Sequence, residues 1–285
     1  MLATFEPRAA ELAFETSGTT GAQSGRHYFE ASSLALYDAA LLAGFDRFIL
    51  EGPERLRYLL LVPGRETSSL GYMMRRVAAI RGDGKSGTYV DASGEHLDID
   101  RLAVDLARAY AEGIAVCIAG TAFAFAALLE AAGERRLPAP GGSRIMETGG
   151  YKGRTRVLER AELYERLARC FAIPEDRIIA EYGMTELASQ YYDARSSRKR
   201  GERIKTGPPW LRPNIVDATG KAVARGEIGV LRHVDLANRG SAVAVETEDL
   251  ALHLGDDGFV LLGRDPDARV RGCSLDVEDL LARRS

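Results

Sequence analysis

"GIAVCIAGTAFAFAALL", residues 113–129, is the stretch that decides the fold. It is the longest apolar run of the chain, yet it falls short of a bilayer span and is rich in Ala and Gly. It reads as a buried strand, a turn at Gly120 and a core helix, one strand–helix unit of an α/β protein. The pattern repeats on both sides. Toward the N-terminus, residues 32–50 form an amphipathic helix with Leu34, Tyr37, Leu41 and Leu42 near helical spacing. "RYLLLVP" (57–63) is a buried strand, and "SSLGYMMRRVAAI" (68–80) a helix capped by Ser68 or Ser69. "GTYV" (87–90) is a strand, and residues 98–113 are a helix stopped by Gly113. Toward the C-terminus, "SRIMETGG" (143–150) is a strand ending in a glycine pair. A helix over 159–172 follows, then "RIIAEYGMTE" (177–186), a strand running into a loop. This alternation predicts a mainly parallel, doubly wound α/β sheet, whose ligands bind beyond the carboxyl ends of the strands.

The texture changes after residue 193. "DARSSRKRGERIK" (193–205) reads as a solvated charged loop, with a specific anion site as the alternative. Short strands with glycine turns then predict a β-rich subdomain. The expected divisions are an α/β core over 1–193, a β-rich subdomain over 194–262, and a hinge with a short helical tail over 263–285.

The chain has 285 residues, 46% hydrophobic and 28% charged, enough for a large core. A formal net charge of −3 gives no reason to expect nucleic-acid binding or membrane insertion. Three widely spaced cysteines make neither a disulfide framework nor a zinc pattern. The N-terminal residues carry Glu6 and Glu11 and do not read as a signal peptide, so a cytoplasmic protein is expected.

Five residues, Ser17, Gly18, Thr19, Thr20 and Gly21, make a poor helix and a poor strand. Glycines let a group approach the backbone closely, and hydroxyls with free N–H groups can wrap an anion; the plain alternative is a surface turn. Tyr182, before Gly183, offers an aromatic face to a flat ring, or is simply core. Glu186 is a carboxylate that can hold magnesium beside phosphate oxygens. Asp249, in "TEDL", can accept from ribose hydroxyls or cap a turn, and Arg264 can donate to a ribose or a phosphate.

In this order, "TSGTTG", the glycine pair at 149 and 150, "YGMTE" (182–186), "TEDL" (247–250) and "GRDPDARVRG" (263–272) resemble the adenylate-forming superfamily, which activates carboxylates with ATP. "SGTTGAQSGRHY", "SSLGYMM", "METGGYKG", "AEYGMTELASQYY", "GPPW", "VDLANRGSAVAVETEDL" and "RGCSL" resemble one branch of it, the acyl-protein synthetase (LuxE-type) family. The resemblance runs from about residue 14 to 280. It implies that Ser17 to Gly21 hold the β- and γ-phosphates of ATP and that Gly149 and Gly150 lie against the adenine. Tyr182, followed by Gly183, would stack on that ring, Thr185 touch the α-phosphate and Glu186 serve Mg2+. Asp249 would bind the ribose, with Arg264 nearby. The implied product is an acyl adenylate of a fatty or other carboxylic acid, passed to a cysteine near the C-terminus and on to an acyl reductase. Cys273, flanked by Arg269 and Arg271, suits that role, because nearby cations favour a thiolate. Cys117 and Cys170 sit in apolar contexts and read as packing residues.

The chain departs from the superfamily in two respects. The loop lysine after "SGTTG" is absent; Arg26 or His27 can replace its charge, or His27 is a surface histidine. The long C-terminal domain of most members, with its late lysine, is expected to be truncated; Lys152 is a candidate cation or a solvated residue. Two other functions fit the same residues: an acyl- or aryl-CoA ligase, and a non-catalytic adenylate-binding subunit of a reductase complex.

Overall fold

The computed structural model describes residues 3–15, 25–50, 55–94, 96–149, 159–198 and 203–264. A hairpin comes first, β1 (Leu12–Glu15) and β2 (Arg26–Phe29), paired antiparallel. Helix α1 (Ala31–Phe45) runs into a π turn at Asp46–Leu50. Strands and helices then alternate: β3 (Arg57–Leu61), α2 (Ser69–Arg81), β4 (Gly87–Thr88), α3 (Ile99–Glu112), β5 (Val116–Thr121), α4 (Ala122–Ala132), β6 (Arg144–Thr148), α5 (Arg160–Phe171) and β7 (Ile178–Tyr182). Short strands follow: β8 (Tyr191–Asp193), β9 (Ile204–Thr206), β10 (Leu211–Val216), β11 (Ile228–Asp235), β12 (Ala244–His253) and β13 (Phe259–Arg264). Of the two candidate caps of α2, Ser68 is the one used: its Oγ accepts from the Gly71 N–H at 3.0 Å. Gly113 ends α3 at φ 68, a conformation that costs glycine little.

Among the described residues eleven strands form one sheet in the order β10-β11-β12-β13-β9-β8-β7-β6-β5-β3-β4. Strands β4, β3, β5, β6 and β7 are parallel, as the alternation predicts, and the rest continue antiparallel. The apolar run at 113–129 explains the layering. Cys117 and Ala119 of β5 face α1 and α2, whereas Val116 and Ile118 face α3, α4 and α5. A strand covered on both faces needs apolar residues at every position, not at alternate ones. Gly120 sits where β3 and β5 run close: a Cβ there would lie 2.7 Å from that of Leu61. Beneath the antiparallel part lies a third core of Tyr191, Leu211, Ile215, Leu231, Ala251 and Phe259. The ladder shifts register twice there, between Val230 and Arg232 and between Leu250 and Ala251.

The charged segment after 193 is not a solvated loop where it is described. Asp193, Arg198, Arg203 and Lys205 are all buried. Asp193 Oδ2 accepts from Arg203 and from the Ala180 N–H, both at 2.9 Å. Lys205 Nζ lies 2.9 Å from Asp193 Oδ1 and donates its hydrogen bond to the Ala180 carbonyl at 2.8 Å. Burial alone would raise the Asp193 carboxyl, but the two cations and the N–H hold it below its ordinary range. Charges that neutralise one another can be buried, which composition does not reveal.

Candidate active site

Strands β6 and β7 end side by side, with Thr148 against Glu181 in the parallel register. Just beyond, Gly149 has φ 72, and a Cβ there would meet no described residue within 4 Å. Tyr182 closes β7 with its ring among Tyr191, His233 and Phe259. Its hydroxyl donates to Asp249 Oδ2 on β12 at 2.7 Å. Asp249 pairs across the ladder with Arg264, whose Nε lies 3.6 Å from Oδ1. Three residues singled out in the sequence, from three strands, therefore meet, and Asp249 does not cap a turn. Burial, with the Asp249 carboxylate beside it, keeps the Tyr182 hydroxyl protonated well above its usual range. Burial also lowers His233 to about 4, so its ring is neutral at pH 7.

The loop after β7 carries Thr185 and Glu186 and is pinned from far along the chain. His27 Nδ1 donates to the Thr185 carbonyl at 2.7 Å. The hydroxyls of Ser69, at the start of α2, and Thr185 are 3.2 Å apart. Asn238 Nδ2 donates to the Glu186 carbonyl at 2.8 Å. Asp235, fully buried, accepts from the Ala188 N–H and the Ser189 hydroxyl at 2.9 Å each. In the sequence Asp235 and Asn238 lie inside quoted motifs without a chemical signature of their own, and Ser69 is marked only as a candidate helix cap.

Glu186 is half-buried, and its carboxylate makes no hydrogen bond or ion pair with described residues. Magnesium bound with a nucleotide takes one or two carboxylates plus phosphate oxygens, and a single available carboxylate fits that need. Among the described residues no cluster of three or more His, Cys, Asp or Glu could hold a metal by itself. Gly183 is held tightly: a Cβ there would come within 2.5 Å of Glu181 Oε1.

Of the two candidates for the missing loop lysine's charge, one is a charged group and the other is not. Arg26 is exposed and paired with Glu15 at 3.1 Å. His27 is fully buried, not on the surface, and burial lowers its pKa, which favours the neutral ring. Cys117 and Cys170 are buried, as read, and burial raises both thiols, Cys117 to about 12. Ser17, Gly18, Thr19, Thr20, Gly21, Gly150, Lys152, Arg269, Arg271 and Cys273 lie outside the described residues. Among the described residues no helix is long and apolar enough to cross a membrane.

No family model matches the chain. By sequence it is similar to a long-chain-fatty-acid–luciferin-component ligase of Aliivibrio fischeri, 25% identical over 185 residues, 63% of this chain and 46% of that protein. By structure it matches o-succinylbenzoate CoA synthetase (MenE) from Bacillus subtilis in complex with the acyl-adenylate intermediate OSB-AMP. The TM-score is 0.61 at 20% identity, covering 92% of this chain and 50% of that one. ATP-bound MatB from Rhodopseudomonas palustris gives 0.61 at 18% identity, covering 90% and 48%. McyG A-PCP complexed with phenylalanyl-adenylate gives 0.61 at 17% identity, covering 93% and 49%. The fold is that of the adenylate-forming enzymes. The sequence similarity points to the branch the motifs resemble, the LuxE-type acyl-protein synthetases. The chain spans about half the length of the relatives it matches.

Proposed function

We propose that this chain activates a fatty or other carboxylic acid with ATP and passes the acyl group to Cys273, for delivery to an acyl reductase or another acceptor. The observation that carries this reading is the meeting of Tyr182, Asp249 and Arg264 beside the loop bearing Thr185 and Glu186. In this reading Tyr182 lies against the purine and Asp249 accepts from the ribose hydroxyls. Gly149 and Gly150 leave the base room, and Ser17 to Gly21 wrap the outer phosphates. Glu186 would hold Mg2+, which when bound supplies positive charge against the phosphates. A carboxylate oxygen of the acid attacks the α-phosphorus, the bond to the β-phosphate oxygen breaks, and pyrophosphate leaves. Thr185 donates to an α-phosphate oxygen as charge builds there. The Cys273 thiol then gives its proton to solvent and the sulfur attacks the acyl carbon; the carbon–oxygen bond to the phosphate breaks and AMP departs. The burial and raised pKa of Cys117 and Cys170 support Cys273 as the acceptor, since a buried thiol stays protonated and out of reach.

The similarity to a CoA synthetase favours a second reading, in which coenzyme A takes the acyl group. One experiment separates the two. The protein is given ATP, magnesium and labelled acids of increasing chain length, and pyrophosphate exchange and protein labelling are followed. The proposal expects acid-dependent exchange and a label removed by neutral hydroxylamine. Cys273→Ser should keep the exchange and lose the label. Exchange without protein label, with added coenzyme A acylated, supports the ligase instead. Binding of ATP without exchange for any acid would leave an adenylate-binding subunit.

A further inference from the structure

His27 lies on β2, directly after the stretch that contains the Ser17–Gly21 loop, and meets Thr185 158 positions later. The geometry fixes its chemistry. A carbonyl oxygen only accepts, so the nitrogen 2.7 Å from Thr185 O, Nδ1, carries the hydrogen. In the neutral ring Nε2 is then the bare nitrogen. Nε2 is buried and has no partner among the described residues. The ring packs on Phe29 with centroids 4.2 Å apart. A second proton would place an N–H and a charge where the described residues offer no acceptor. Among the described residues the influences on its titration are burial, which lowers the pKa, and the Thr185 carbonyl, which raises it.

The contact belongs to a junction of three segments. Phe14 pairs with His27 across the hairpin, and the Glu15 N–H donates to the Thr67 carbonyl at 2.9 Å. Two residues on, the Ser69 hydroxyl reaches that of Thr185. Thr185 is thus held at its main chain from the hairpin and at its side chain from α2.

We propose that His27 is a positioning residue for adenylate formation: its Nδ1–H fixes the Thr185 main chain, so that the Thr185 hydroxyl, with Ser69 beside it, faces the α-phosphate. This rests on the reading that Thr185 touches that phosphate. His27 thus does not replace the missing lysine as a charge. It is a neutral brace between the segment that follows the phosphate loop and the loop that follows β7.

The test compares His27→Phe, which keeps an aromatic ring and removes the donor, with His27→Asn, whose side-chain amide N–H stands where Nδ1–H stood. Misplacing a group by about 1 Å costs on the order of 100-fold, so His27→Phe should lose that much in exchange kcat. Its KM for ATP should change little, because Tyr182 and Asp249 are untouched. His27→Asn should recover most of the rate. Full exchange in a folded His27→Phe, or Asn no better than Phe, overturns the proposal. A measurement on the unmodified protein stands apart from activity: nitrogen-15 NMR of the His27 ring. The Nδ1–H tautomer, persisting below the ordinary histidine range, supports the brace; the Nε2–H tautomer, or an ordinary titration, overturns it even if the variants fail to fold. Should the unmodified protein exchange with no acid at all, the functional reading has failed, while the ring's tautomer still decides whether the contact exists.

Discussion

Glu181 immediately precedes Tyr182 and is 7% exposed. Its Oε2 accepts from the Thr148 hydroxyl, and Oε1 crowds the space in front of Gly183. Burial pushes the carboxyl from 4.5 up to about 7; Glu147 adds to that, while the Thr148 hydroxyl and Lys205 oppose it. The folded protein therefore holds this proton more tightly than the unfolded chain. The resulting stability is complete below about pH 4.5 and is lost as the pH rises through about 7. The gap between those two values amounts to about 3 kcal/mol, most of it shed between about pH 5 and 8. Glu181→Gln cannot ionise and should escape that loss. Urea unfolding of both proteins at half-unit steps across this range should show the variant gaining on the parent as the pH rises. The two should nearly coincide at the acid end. Parallel curves would mean that the carboxyl ionises as if in water, and the burial argument would fail.

Asp193→Asn leaves Arg203 and Lys205 buried without their counter-charge and should cost about 3–5 kcal/mol in urea unfolding at pH 7; a loss under about 1 kcal/mol would show that these cations find water instead. Gly120→Ala drives a Cβ to 2.7 Å from that of Leu61, so a loss of about 1–3 kcal/mol is expected, and an unchanged melting curve would show that β3 and β5 can part. Tyr182→Ala should weaken ATP binding by about 1 kcal/mol in titration calorimetry, and an unchanged dissociation constant in a folded variant removes the ring from the site.

The parallel half of the fold was legible because its signals are local. An apolar run with covered faces, the Ser68 cap and the stop at Gly113 each depend on a few adjacent residues. Tyr182, Asp249 and Arg264 were legible as types in an order, but their mutual contact was not, since 67 positions separate Tyr182 from Asp249. The burial of Arg203 and Lys205 escaped the sequence for a different reason. A cationic run looks solvated until its partner is placed, and Asp193 becomes that partner only when β8 and β9 align. His27 was misread in the same way: nothing beside it in sequence announces a carbonyl on the far loop.

Between β7 and β12 in the sheet stand β8, β9 and β13. Laid flat, four strand spacings of about 4.8 Å would part them by about 19 Å, more than a tyrosine and an aspartate can span. Their tips are nevertheless 2.7 Å apart, so the sheet rolls back on itself across this stretch. The gap between Tyr182 and Asp249 is therefore gauged by curvature, an angle accumulated over four junctions. A few degrees more or less at each would be multiplied along the arc before reaching the two side chains. The register shift at Leu250/Ala251 lies within that arc and the one at Val230/Arg232 beside it, and such irregularities sharpen local twist. Two proteins could carry identical residues at this gap and still differ in its width, because the setting is made in the rungs of the ladder behind it.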